Sequence, residues 1–267
     1  MQKADTFTDA YGPWALVTGA ARAEGVGFEF ARQLGRAGMH LILVDVLKDE
    51  LEARALELRE SLGAEVVPIV MDLGRKDFLA DLRAEVGDRE VGLLVCNHMH
   101  TPADTPTLLD MDLAALDAMI DINARAYTHL IHAFGNAMTD RRRGGIIVMS
   151  SGASMTAAPF ATSYSANKAY QRALGEGLSF ELRDAGVDVL VVVAGLVNTR
   201  EAMSGYPQVM VMEPESVVRE ALDSLGKKVR VTPGLVSKAV IFVQNRLLTA
   251  NAAIDQVGNF QARGLKK

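Results

Sequence analysis

A doubly wound α/β domain, with one parallel sheet between two layers of helices, is the fold this sequence predicts, and three observations predict it. Short β-branched runs recur along the chain, each followed by a helical stretch. The runs are almost continuously apolar instead of alternating, the pattern of strands covered on both faces. The intervening helices supply the long crossovers that parallel strands need. The first run, 14–17, leads through a glycine-bearing loop to a helix over 28–37. The second, 41–44, leads to a charged amphipathic stretch over 48–62. Runs at 66–70, 91–95, 146–148 and 189–193 repeat the plan, with long helices over 113–137 and 163–185 flanking the fifth. Beyond Thr199 the rhythm loosens: 215–225 reads as a helix, 229–231 as a last strand and 237–248 as an apolar amphipathic helix. No Pro/Ser-rich linker or repeat divides the chain, so 1–267 is expected to form a single domain. The region of about 200–250 is expected to cover a substrate crevice.

Composition narrows the function. The 267 residues are 49% hydrophobic and 23% charged, with a net charge of −5. Disorder needs fewer apolar residues, and a small disulfide scaffold needs more cysteines than Cys96 alone. An acidic balance argues against nucleic acid, whose binding requires clustered Lys and Arg. The one tight basic cluster, Arg141, Arg142 and Arg143, reads as a solvated turn before a strand. The first residues carry charge and no continuous apolar region, so no secretory signal or membrane anchor is expected. Residues 144–167 are uncharged, but Ser, Gly, Thr and Pro interrupt them too often for a spanning helix. A lone cysteine fits a reducing cytoplasm. His98 and His100, and His129 and His132, lie near each other without a carboxylate or thiol at ligand spacing, so no metal is expected. His98, Met99 and His100 read either as pocket wall or as ordinary loop packing.

The first strand ends in Thr18-Gly19, followed by Gly25-Val26-Gly27 and at once by a helix. Glycines let a backbone turn sharply and approach a pyrophosphate, and the helix N-terminus offers unpaired N–H groups. Asp45 closes the second strand, where an acid accepts hydrogen bonds from an adenosine ribose; a helix-capping role is the alternative. A carboxylate there repels a 2′-phosphate and Val46 follows where a base would welcome one, which favours NAD(H) over NADP(H). Arg22 in the glycine loop is the residue that could reverse this preference. Asp72 and Leu73, ending the third strand, are placed to meet the adenine edge, although Asp72 serves equally as a turn residue.

Ser151 is followed thirteen residues later by Tyr164 and then by Lys168. Positions four apart share a helix face, so the phenol and the amine project together. A tyrosine near pKa 10 is a poor base at neutral pH, but a neighbouring ammonium stabilises its phenolate. The pair then makes a usable acid/base, with Ser151 able to hold a substrate oxygen.

From Trp14 to Thr199 the chain resembles the short-chain dehydrogenase/reductase family in its compact, single-domain form, built on the Rossmann fold. The resemblance rests on the Thr18–Gly27 loop, on Asn123 in Asp-Ile-Asn-Ala, on Ser151, and on Tyr164 and Lys168 in Tyr-Ser-Ala-Asn-Lys. It implies an active tetrad of Asn123, Ser151, Tyr164 and Lys168. It further implies that Lys168 holds the nicotinamide ribose, and that Asn123 positions a water connecting Lys168 to solvent. Asn97, Val197 and Thr199 match cofactor-contact positions. Three departures stand out. Five residues, not three, separate Gly19 from Gly25; the family's NNAG appears as Cys96-Asn97-His98-Met99; and Pro-Gly after the sixth strand appears as Ala194-Gly195. The implied activity is reversible hydride transfer between nicotinamide and a small-molecule secondary alcohol or ketone, with a bulky hydrophobic substrate such as a hydroxysteroid favoured. A 3-oxoacyl-thioester reductase and a non-catalytic dinucleotide-sensing protein remain the alternatives. A homodimer or homotetramer pairing through the long helices is expected by resemblance.

Overall fold

The computed structural model describes residues 6–102, 107–199 and 207–265. Its strands are β1 (Trp14–Thr18), β2 (His40–Asp45), β3 (Val66–Val70), β4 (Val91–Cys96), β5 (Gly144–Ser151), β6 (Val187–Ala194), β7 (Leu196–Val197), β8 (Val211–Met212) and β9 (Arg230–Val231). The helices are α1 (Phe7–Tyr11), α2 (Val26–Arg36), α3 (Lys48–Leu62), α4 (Phe78–Val86), α5 (Leu113–Ile120), α6 (Ala126–Arg141), α7 (Thr162–Glu181), α8 (Pro214–Ser224), α9 (Leu235–Arg246) and α10 (Ala250–Leu265). Seven strands form one parallel sheet in the order β3-β2-β1-β4-β5-β6-β9. The chain walks outward from β1 to β3, then returns to place β4 against β1 on the other side. In sheets of this kind ligands bind beside such a reversal, at the carboxyl ends of the strands.

The continuous apolar runs have a direct cause. Ala15 and Val17 of β1 join one core with Phe30, Leu34, Leu51 and Val217 of α2, α3 and α8. Leu16 joins the other, with Phe78, Leu82, Leu130 and Phe134 of α4 and α6. Every position of β1 and β4 is therefore buried, and no polar face survives to give alternation. No described helix is long and apolar enough to cross a membrane.

The expected six strands and the short last one are present. One expected element is corrected: the helix over 113–137 is interrupted. α5 and α6 are separated by a π-turn, Asp121–Arg125, in which the Ala126 N–H reaches back five residues to the Asp121 carbonyl. Such wide turns insert one residue into the helical ladder and redirect its carbonyls, and they recur at functional sites. The helix over 163–185 stops at Glu181 and continues as a 3-10 turn, Arg183–Ala185. Two helices were not anticipated. α1 is short and held by a reciprocal capping box between Thr6 and Asp9. α10 has Asn and Gly scattered through it, which hides its periodicity.

Candidate active site

The parallel sheet brings the candidate residues to one edge. Gly19 follows β1, Asp45 ends β2, Asp72 and Leu73 follow β3, Asn97 follows β4, Ser151 ends β5, and Val197 and Thr199 follow β6. The turn between β1 and α2 shows why it needs glycine. Gly19 has φ +69°, and a side chain on Gly27 would place its Cβ 2.1 Å from the Gly19 carbonyl oxygen. Gly25 is the N-cap of α2 and donates no side-chain cap to it. A tight backbone cradle thus ends in a helix N-terminus that keeps its N–H groups for an anion. These residues fit the pyrophosphate of a dinucleotide, and the two extra loop residues leave Arg22, Ala23 and Glu24 exposed.

Asp45 ties this cradle to β2. One carboxylate oxygen accepts from the Ala21 N–H at 3.1 Å, the other from Val46 and Leu47 at 2.8 and 3.2 Å. An ionised carboxylate has about four acceptor positions, so the ribose-binding and turn-capping readings are compatible. Asp72 is exposed and accepts from the Gly74 N–H at 2.8 Å, while Leu73 is buried. Val26 is half-buried at the start of α2. Asn97 reaches back to β1, its amide donating to the Thr18 and Gly19 carbonyls at 3.2 and 3.0 Å. Val197 sits in the β7–β8 ladder opposite Met212, and the Thr199 N–H donates to the Val197 carbonyl at 2.8 Å.

His98 proves to be loop packing, not pocket wall. It is 6% exposed, with Nδ1 2.7 Å from the Thr18 hydroxyl and Nε2 3.0 Å from the Ile122 carbonyl. A carbonyl can only accept, so Nε2 carries the proton and Nδ1 accepts from Thr18. Burial pushes its pKa down to about 3, and the ring stays neutral. It bolts β1 and β4 to the π-turn. Among the described residues no group of three or more His, Cys, Asp or Glu side chains could hold a metal ion.

The tetrad candidates assemble around α7, β5 and the π-turn. Lys168 is 5% exposed, and its Nζ lies 5.8 Å from the centre of the half-buried Tyr164 ring. Nζ donates to the Met149 carbonyl at 3.0 Å, and the Lys168 carbonyl accepts from the Ser150 hydroxyl at 2.8 Å. These bonds lock α7 to the end of β5, where the half-buried Ser151 accepts from the Ala153 N–H. Ser165 clamps the following turn to α7 by donating to the Ala153 carbonyl at 2.6 Å. Burial alone pushes the Lys168 ammonium down to about 7. Asn123 is 1% exposed, and its side-chain amide pairs with the backbone of His100 in both directions, at 2.8 and 2.7 Å. Its carbonyl accepts from Gln171 Nε2 at 2.8 Å, and Gln171 Oε1 accepts from Lys168 Nζ at 2.9 Å. Gln171 was missed from sequence. Its signal was its place one turn beyond Lys168 on the buried face of α7.

α9 runs over the turn after β5. Ile241 lies against Gly152, Asn245 reaches Thr156, and Ser237 leaves no room for a side chain on Gly195. The family model for short chain dehydrogenase matches residues 13–208. A 7beta-hydroxysteroid dehydrogenase of Clostridium sardiniense is 29% identical over 260 residues, covering 94% of this chain and 97% of that protein. A very-long-chain 3-oxoacyl-CoA reductase of Anas platyrhynchos is 32% identical over 219 residues, covering 80% and 69%. A structure solved to explain 7beta-hydroxysteroid dehydrogenase stereoselectivity superposes with a TM-score of 0.89 at 25% identity, covering 94% of this chain and 99% of that one. With a family model matched over residues 13–208 and relatives alike along most of its length, the chain belongs to the short-chain dehydrogenase/reductase family of oxidoreductases.

Proposed function

We propose that this protein interconverts a bulky hydrophobic secondary alcohol, of hydroxysteroid type, and its ketone with NAD(H). The observation that carries the reading is the buried Lys168 ammonium 5.8 Å from the Tyr164 ring, next to the strand end bearing Ser151. Bound NAD(H) supplies the hydride acceptor or donor. In oxidation the Tyr164 phenolate takes the hydroxyl proton as the carbinol hydride leaves and the carbonyl forms; in reduction Tyr164 returns the proton to the oxygen. Lys168 favours the phenolate by its charge, and Ser151 holds the reacting oxygen. Asn123 fixes the 98–100 segment beside them. Gly19, Gly25, Val26 and Gly27 hold the pyrophosphate, with Asp72, Leu73, Asn97, Val197 and Thr199 along the rest of the coenzyme. Asp45 and the exposed Val46 after it favour NAD(H), since a carboxylate without a neighbouring base repels a 2′-phosphate.

The covering role of the region of about 200–250 is supported by the path of α9 over the Gly152–Thr156 turn. The substrate class is supported by likeness to the hydroxysteroid dehydrogenase along nearly the whole chain. The 3-oxoacyl-thioester reading is favoured only by the slightly higher identity over a shorter span. Exposed Leu113, Ile120 and Phe180 on α5 and α7 support pairing of subunits through these helices. The test is a panel of hydroxysteroids, simple secondary alcohols and 3-hydroxyacyl thioesters, followed by nicotinamide absorbance with NAD and with NADP. Turnover is expected to be fastest with a hydroxysteroid and NAD. Tyr164→Phe is expected to lower kcat at least about 1,000-fold while leaving coenzyme affinity within about threefold. Thioester turnover alone, or retained activity in Y164F, would refute the proposal.

A further inference from the structure

The resemblance implies a water between Asn123 and Lys168, but here a side chain makes that connection. Gln171 Oε1 accepts from Lys168 Nζ at 2.9 Å and its Nε2 donates to the Asn123 carbonyl at 2.8 Å. Gln171 is fully buried. The Asn123 carbonyl lies within the π-turn. We infer that Gln171 is a positioning residue that replaces this bridging water: its amide holds Lys168 charged and aimed at Tyr164, and joins α7 to the π-turn. The inference rests on the Tyr164–Lys168 chemistry proposed above.

The physical consequence has a definite sign. Oε1 presents the negative end of an amide dipole to Nζ, and its hydrogen bond to the charged amine is stronger than one to the neutral amine, so it favours the ammonium against burial. The Met149 carbonyl accepts from a second N–H, which leaves the third N–H of the ammonium for the Tyr164 side. An amide donates and accepts but does not pass a proton along as water does, so the Asn123 route carries orientation and no proton. The other ionisable groups around this point are Tyr164 on α7, Cys96 and His98 at the end of β4, and Tyr127 on α6. His98 is neutral, and burial holds Cys96 and Tyr127 protonated. Lys168 is therefore the group of this cluster that burial brings to about 7.

Replacement by leucine removes both hydrogen bonds at similar volume; replacement by alanine leaves room for water, with two polar partners to hold it. The first measurement is 13C NMR titration of ε-labelled lysine in the full-length protein, with Lys168 assigned by its absence in K168R. The Lys168 midpoint is expected to fall by about one pH unit in Gln171→Leu and by less in Gln171→Ala. An unchanged midpoint in Q171L overturns the inference. Gln171→Met replaces leucine should that variant not fold. This reading needs no turnover, so it stands apart from failure of the proposed reaction, which shows as an inactive wild-type enzyme across the alcohol panel. With an active substrate, the kcat midpoint for oxidation is expected to rise in Q171L, because a neutral amine no longer stabilises the phenolate. Q171A is expected to lie nearer to wild type. A residue that merely fills space gives the reverse order, since alanine leaves the larger void, and that order also overturns the inference.

Discussion

Burial and charge compete at Lys168, and the competition has a measurable cost. An amine held near 7 in the folded state and near its ordinary 10.5 in the unfolded chain gives up its proton on folding at intermediate pH. Above about pH 7 the unfolded chain binds more protons, so this residue's contribution to stability rises with pH, with a slope of at most about 1.4 kcal/mol per pH unit. Lys168→Met removes that dependence. The stability difference between K168M and wild type, from urea midpoints at pH 6 to 9, is expected to favour the variant at low pH and to narrow as pH rises. Parallel pH profiles would contradict the buried titrating amine. Tyr164, Lys168 and Ser151 were legible because their spacing on a helix and a strand end survives in one dimension. Gln171 and the clamp of Asn123 on His100 were not, because both pair groups more than twenty residues apart or depend on a carbonyl turned outward by the π-turn.

At the scale of elements, the turn from β1 into α2 and the π-turn do the positioning. The first was readable, since glycines between an apolar run and a helix have a steric meaning. Gly27→Ala tests it: a Cβ 2.1 Å from the Gly19 carbonyl must push α2 off the turn. Coenzyme affinity, by isothermal titration calorimetry, is expected to weaken at least about tenfold, a loss of about 1.4 kcal/mol. Unchanged affinity would mean the pyrophosphate does not lie on this turn. The π-turn was not readable. Residues 113–137 carry a helical apolar pattern throughout, and nothing in Asp-Ile-Asn-Ala-Arg announces an extra residue in the ladder. It becomes intelligible only with its partners in place: His98 Nε2 donates to the Ile122 carbonyl and Gln171 Nε2 to that of Asn123. Tertiary contacts collect carbonyls that a regular helix would have kept to itself.

For the whole molecule, the parallel sheet brings candidate residues from six strand ends to its carboxyl edge. Their meeting there was predictable because parallel strands share a carboxyl edge. The C-terminal third was less legible, since two-residue strands and a helix with scattered Asn and Gly offer little periodicity. Its packing over the turn after β5 came from the structure, through Ile241, Asn245 and Ser237. The central claim is that Tyr164, charged by its lysine neighbour, exchanges a proton with a substrate oxygen beside the nicotinamide. A crystal structure of the ternary complex with NAD and a hydroxysteroid tests it most directly. The substrate oxygen is expected within about 3.2 Å of both Tyr164 Oη and Ser151 Oγ, with its carbinol carbon about 3–3.5 Å from nicotinamide C4. A coenzyme bound with C4 remote from the Tyr164 hydroxyl, or a substrate oxygen held by other side chains, would contradict it.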